Sequence, residues 1–134
     1  MDKRLTAILV LALTLVLLLS VAATASATTY FTSKPKVSEV PHKSNPFRTY
    51  GYILPRSTST NPAVVKIRLW MKYGDTWGTM WWKKATLSKR AAGGSKYSCW
   101  ITIPMKGWHG LQAYQYRHGK LVSKSKTLYF NVQP

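Results

Sequence analysis

The segment Val64–Tyr73 holds the clearest concentration of side chains able to do chemistry. Lys66, Arg68, Trp70 and Lys72 alternate there with Val65, Ile67, Leu69 and Met71. A strand sends successive side chains to opposite faces, so this period of two puts the apolar set in a core and the cationic, aromatic set in water. Cations attract an anion over a distance, and a flat ring supplies stacking surface. Trp77, Trp81, Trp82, Lys83 and Lys84 form a second concentration. Adjacent Trp81 and Trp82 in a strand point to opposite faces, so at most one of them is core. If Leu111 and Ala113 face inward, then Gln112, Tyr114 and Tyr116 face outward; Tyr129 takes the outward phase of the last segment. The candidate ligand-binding set is therefore Lys66, Arg68, Trp70, Lys72, Trp81, Lys83, Lys84, Tyr114, Tyr116 and Tyr129. The competing reading is that these aromatics only pack against neighbouring lysine and arginine stems.

Catalysis is short of groups. Two carboxylates must flank a scissile glycosidic bond, and after residue 27 the chain has only Glu39, in a Pro-bounded lead-in, and Asp75, in an expected turn. Cys99 shares its phase with Ile101 and Ile103, which marks a buried, inert thiol rather than a nucleophile paired with His109. His42, His109 and His118 have no metal-ligand spacing, and Gly93-Gly94 lacks the rest of a phosphate loop. The sequence therefore points to no enzyme, no cofactor, no metal and no small-molecule substrate.

Charge points to a partner instead. The 134 residues include 20 Lys or Arg and 3 Asp or Glu, a net charge of +17. Such an excess opposes compaction and favours association with polyanions. The 13% of aromatic residues sets the chain apart from disordered basic tails. The expected partner is an anionic polymer: a wall teichoic-type polymer, an anionic lipid surface or extracellular DNA. An acidic protein, or self-association along an exposed edge strand, is the alternative.

The elements that must position these residues read as strands. Residues 1–27 have the order of a secretory signal: Lys3-Arg4, an apolar run from Leu5 to Leu19, and small residues ending in the A-x-A arrangement of Ala25 and Ala27. An uncleaved membrane anchor is the alternative. Removing Lys3 and Arg4 from the 20 basic residues leaves 18, and removing Asp2 from the 3 acids leaves 2, so the remaining 107 residues would carry +16. The mature protein is expected outside the cell, free or held to the wall by non-covalent contacts. Residues 28–45 read as an extended polar lead-in with one edge strand near Lys36–Ser38, and residues 46–134 as one β domain. Its segments are Phe47–Leu54, Val64–Tyr73, Trp77–Leu87, Lys96–Ile103, Leu111–Tyr116 and Thr127–Val132, with turns at Gly74-Asp75 and His118-Gly119. Met80, Lys84, Leu87 and Ala91 also fit helical spacing, so Met80–Ala92 is strand or helix; its tryptophans favour strand.

Phe47-Arg-Thr-Tyr-Gly-Tyr-Ile-Leu-Pro55 resembles the opening of immunoglobulin-like modules in secreted actinobacterial proteins. Val65–Leu69, Lys96–Ser98, Leu111–Tyr114 and Ser123–Val132 follow in that family's order, with His109 where such modules often carry Trp. The resemblance implies an all-β, immunoglobulin-like two-sheet sandwich of about seven strands, serving as an accessory, binding or spacer module. It also implies that Val64–Tyr73, Leu111–Tyr116 and Thr127–Val132 are neighbours in one sheet.

Overall fold

The computed structural model describes residues 27–134. The expected export signal lies outside the described residues, except for Ala27 itself. Among the described residues there is no helix, and so none long and apolar enough to cross a membrane. Ten strands follow in order: β1 (Phe31–Thr32), β2 (Lys36–Val37), β3 (Phe47–Leu54), β4 (Ala63–Tyr73), β5 (Thr76–Lys84), β6 (Thr86–Lys89), β7 (Ser95–Ile101), β8 (Gly107–Arg117), β9 (Lys120–Lys124) and β10 (Leu128–Val132).

They form two antiparallel sheets packed as an all-β sandwich. The front sheet runs β10-β8-β4-β5, with β9 also paired to β8; the back sheet runs β1-β3-β7-β6, with β2 also paired to β3. The alternation in β4 does what its period demands: Val65, Ile67 and Leu69 are fully buried while Lys66 is exposed. These three meet Leu111, Ala113 and Val132 from their own sheet and Phe47, Ile53, Tyr97, Cys99 and Ile101 from the other, in one core. The expected neighbours Val64–Tyr73, Leu111–Tyr116 and Thr127–Val132 are adjacent here as β4, β8 and β10.

Turn chemistry sets the hairpins. Gly74 has φ +60° at the β4–β5 turn, and His118 and Gly119 have φ +50° and +77° at the β8–β9 turn. Two-residue hairpins need left-handed backbone there because only such turns match the twist of the flanking strands.

The number of strands departs from seven for local reasons. Met80–Ala92 is not helical, and the expected segment Trp77–Leu87 is two strands in different sheets. The chain crosses between them at Ala85, whose N–H donates to the Val65 carbonyl at 2.8 Å and whose small side chain is buried at the crossing. In the lead-in, β1 and β2 both add to β3. Strand β9 has no apolar alternation to announce it, since Lys120, Leu121 and Lys124 are all exposed on an edge. One end of the sandwich closes on Arg117, 2% exposed, which donates to Gln115 Oε1 at 2.9 Å and to the carbonyls of Asn61 and Pro55. Burial lowers the Arg117 pKa from the usual arginine value, and carbonyl acceptors rather than a carboxylate hold the charge.

Candidate anion-binding face

The outer face of the front sheet gathers the cation–aromatic residues, and a β-bulge decides which ones. Arg68 opposes Trp82 and Leu69 opposes Trp81, but Trp70 opposes Thr79, so Met80 is the extra residue on β5. One inserted residue reverses the phase of a strand beyond it. Trp77 and Thr79 before the bulge and Trp82 and Lys84 after it consequently share the outer face with Lys66, Arg68, Trp70 and Lys72.

Arg68 is the centre of the arrangement. Its guanidinium lies 3.5 Å from the ring centroid of Trp70 and 5.0 Å from that of Trp82. Nε donates to Thr79 Oγ1 at 2.7 Å and Nη1 donates to the Tyr114 hydroxyl at 3.2 Å. The Tyr114 hydroxyl in turn donates to Gln112 Oε1 at 2.8 Å, and Gln112 donates to the Ser125 carbonyl. Among the described residues two of the guanidinium's five N–H groups are engaged, which leaves the others for an acceptor from outside. Trp70 is half-buried beneath this lattice, and its Nε1 is covered with no acceptor among the described residues.

The remaining expected residues fall around Arg68. Tyr114 has the outward phase that the inward Leu111 and Ala113 require, yet it is only 7% exposed because the Trp82 ring packs edge-on against it at 4.8 Å. Tyr116 shares that phase, with the Lys66 ammonium 5.2 Å from its centroid. Lys84 stands opposite Lys66 across the β4–β5 pair, and Lys72 stands opposite Trp77. Tyr129 is 58% exposed and lies edge-on to Trp77 at 5.1 Å. Its ring also lies along Gly110, where an added Cβ would stand 3.4 Å from it.

Two expected residues are elsewhere. Trp81 points inward, opposite Leu69, and packs partly buried against the core; Trp82 takes its place outside. Lys83 has the inward phase opposite Ile67, and its ammonium reaches across the sandwich edge to the Trp100 carbonyl at 2.5 Å. Both misplacements have one cause, the bulge at Met80, which leaves no mark in the residue pattern. Trp82 itself was legible as half of the Trp81-Trp82 alternative. Trp108, 51% exposed and in the outward phase next to buried His109, was a lone aromatic in the sequence.

The electrostatics are one-sided. No strand of either sheet contains an acid: Asp75 lies in the β4–β5 turn and Glu39 in the lead-in. The face therefore presents fixed cations, with aromatics rather than carboxylates as their neighbours.

The groups weighed for catalysis stand apart. Cys99 is buried in the back sheet with its thiol directed at the Trp100 carbonyl at 3.6 Å, and burial pushes the thiol pKa up, against the opposing effect of nearby Lys83. His109 is fully buried in the front sheet, where Nδ1 faces the Gly107 carbonyl at 3.0 Å and its ring stacks on Phe130. No cluster of three or more His, Cys, Asp or Glu occurs among the described residues.

No family model matches the chain, and none of the curated proteins matches it. The two-sheet, all-β sandwich therefore stands on the structure alone.

Proposed function

We propose that the protein is a secreted, non-enzymatic, immunoglobulin-like binding module for an anionic cell-envelope or extracellular polymer. The observation that carries this reading is Arg68, held between Trp70 and Trp82 on a sheet without a single carboxylate. A guanidinium fixed this way needs little ordering to meet a phosphate or carboxylate, and the flanking rings supply stacking surface. Lys66, Lys72 and Lys84 add long-range attraction around it. Export rests on the apolar N-terminal segment and its small-residue site. The immunoglobulin-like assignment rests on the resemblance of Phe47–Pro55 and the segments after it, together with the adjacency of β4, β8 and β10.

Self-association along the β5 edge is disfavoured by that edge itself. It carries Lys83 and Lys84 and the Met80 bulge, which are features that blunt strand addition. Retention of the purified protein on wall polymer, single-stranded DNA and anionic vesicles, at low and at high salt, tests the proposal. Binding to at least one of these that falls steeply with salt supports it. Absence of retention on all three at low salt overturns it.

A further inference from the structure

The back sheet repeats the same chemistry in a different shape. On β3, Phe47, Thr49 and Ile53 point inward, so Tyr50 and Tyr52 share the outer face with Gly51 between them. Register pairs Lys36 with Tyr50 from one side and Lys96 with Tyr52 from the other. The chain at Ser33–Lys34, together with Arg90 from the β6–β7 connection, closes these residues into a cleft of about 280 Å³. That volume is near the roughly 300 Å³ lower bound of ordinary small-ligand pockets, large enough for more than a bare anion.

Two of the cleft's four cations are held in place, whereas Lys34 and Lys36 are exposed at its rim. The Arg90 guanidinium stacks 3.9 Å from the Tyr52 centroid, and its Nη1 donates to the Gly93 carbonyl at 3.1 Å. The Lys96 ammonium sits 5.3 Å from the Tyr50 centroid. From behind, Gly51 lets the Tyr97 hydroxyl pass close beneath the strand to donate to the Ser33 carbonyl at 2.7 Å, which pins the cleft's outer wall to β7. The Tyr50 and Tyr52 rings line the cleft with these cations against them. Four cations with no acid in reach suit a multiply charged anion, while two tyrosines and the cleft's size suit a hydroxyl-rich ring attached to it.

We infer that this cleft is a second binding site, which takes a single phosphorylated sugar unit. The phosphate meets Arg90, Lys96 and Lys34, and the sugar lies along Tyr50-Gly51-Tyr52. The inference rests on the polymer reading only for the source of such a unit. The two sheets face opposite ways from one core, so this site and the front face bind independently.

Titration of the purified protein with glucose 6-phosphate, followed by amide chemical shifts, tests it. Saturable shifts at Gly51, Tyr52 and Lys96, with those around Arg68 left in place, are expected. Glucose should leave the cleft unshifted, and inorganic phosphate should bind it at least tenfold more weakly than the sugar phosphate. The double variant Arg90→Gln/Lys96→Gln should weaken binding at least tenfold while melting as the parent does. Equal binding of inorganic phosphate, or shifts confined to the front face, overturns the inference. Polymer retention without cleft shifts would refute this site and keep the proposed function, whereas cleft shifts without polymer retention would do the reverse.

Discussion

The Arg68 guanidinium stacks on the indole of Trp70 at 3.5 Å and is steered in the plane of the sheet by Thr79 and Tyr114. A cation–π contact of this kind is worth about 0.5–2 kcal/mol, more where water is excluded. It therefore orients the charge without neutralising it, which a carboxylate partner would do. Arg68→Gln should reduce the slope of log affinity against log salt on single-stranded DNA by about 0.7, the value for one phosphate contact there. Arg68→Lys should keep most of that slope but lose affinity, because an ammonium cannot fill the planar slot between two indoles. An unchanged slope in Arg68→Gln, measured on whichever polymer retains the protein, would remove Arg68 from the contact surface.

Trp81 and Trp82 separate stability from binding within one dipeptide. Trp81 packs against the core, so Trp81→Ala should cost about 2–4 kcal/mol in denaturant unfolding. Trp82 is 45% exposed, and Trp82→Ala should cost less than about 1 kcal/mol of stability. Its loss should instead weaken polymer retention by about 1–3 kcal/mol if a ring of the ligand stacks there. The opposite pattern in the two unfolding curves would show that the bulge at Met80 is misplaced.

Gly51 is needed for space rather than for backbone freedom. An added Cβ there would fall 2.3 Å from the Tyr97 hydroxyl oxygen and 2.7 Å from Ser33 Oγ. Gly51→Ala should therefore destabilise by about 1–3 kcal/mol, the usual range for overpacking, and should break the Tyr97–Ser33 bond. Pairing it with Tyr97→Phe should recover little, because the ring carbon that bears the hydroxyl lies as close to the added Cβ as the oxygen does.

Tyr97 also predicts a pH dependence. Burial raises its pKa well above the ordinary tyrosine value of 10.0, and the Ser33 side chain only partly opposes this. A raised folded-state pKa means stability that is fully present below the unfolded pKa and lost as pH rises above it. Chemical unfolding should show stability falling from about pH 10 upward, where the unfolded tyrosine ionises and the folded one does not. Tyr97→Phe should remove that part of the decline, leaving only what other groups contribute. Parallel pH curves for parent and variant would refute the assignment.

Much of the front face was legible in the residues. The alternation Val65–Lys72 requires one wet and one dry side, because a pleated strand has no other way to place consecutive side chains. The same reasoning tied the outward phase of Tyr114 and Tyr116 to the inward phase of Leu111 and Ala113, and set Tyr129 outward within its own strand. Composition alone made the surface cationic, since 2 acids cannot balance 18 bases wherever the chain folds. Turn positions at Gly74 and His118-Gly119 were likewise local, set by left-handed backbone that few residues tolerate.

Tertiary structure decided what depends on partners distant in the chain. The bulge at Met80 reverses the phase of β5 before the chain leaves for the other sheet at Ala85, and it exchanged Trp81 for Trp82. Tyr114 faces outward yet is covered, because what covers it is Trp82, a neighbour two strands away. The back cleft was invisible for the same reason. Lys34, Tyr50, Arg90 and Lys96 are scattered between residues 34 and 96, and only the pairing of β2, β3 and β7 brings them together. Periodicity reports which face of a strand a residue takes, whereas the neighbours on that face are fixed by register, and register is a property of the whole sheet.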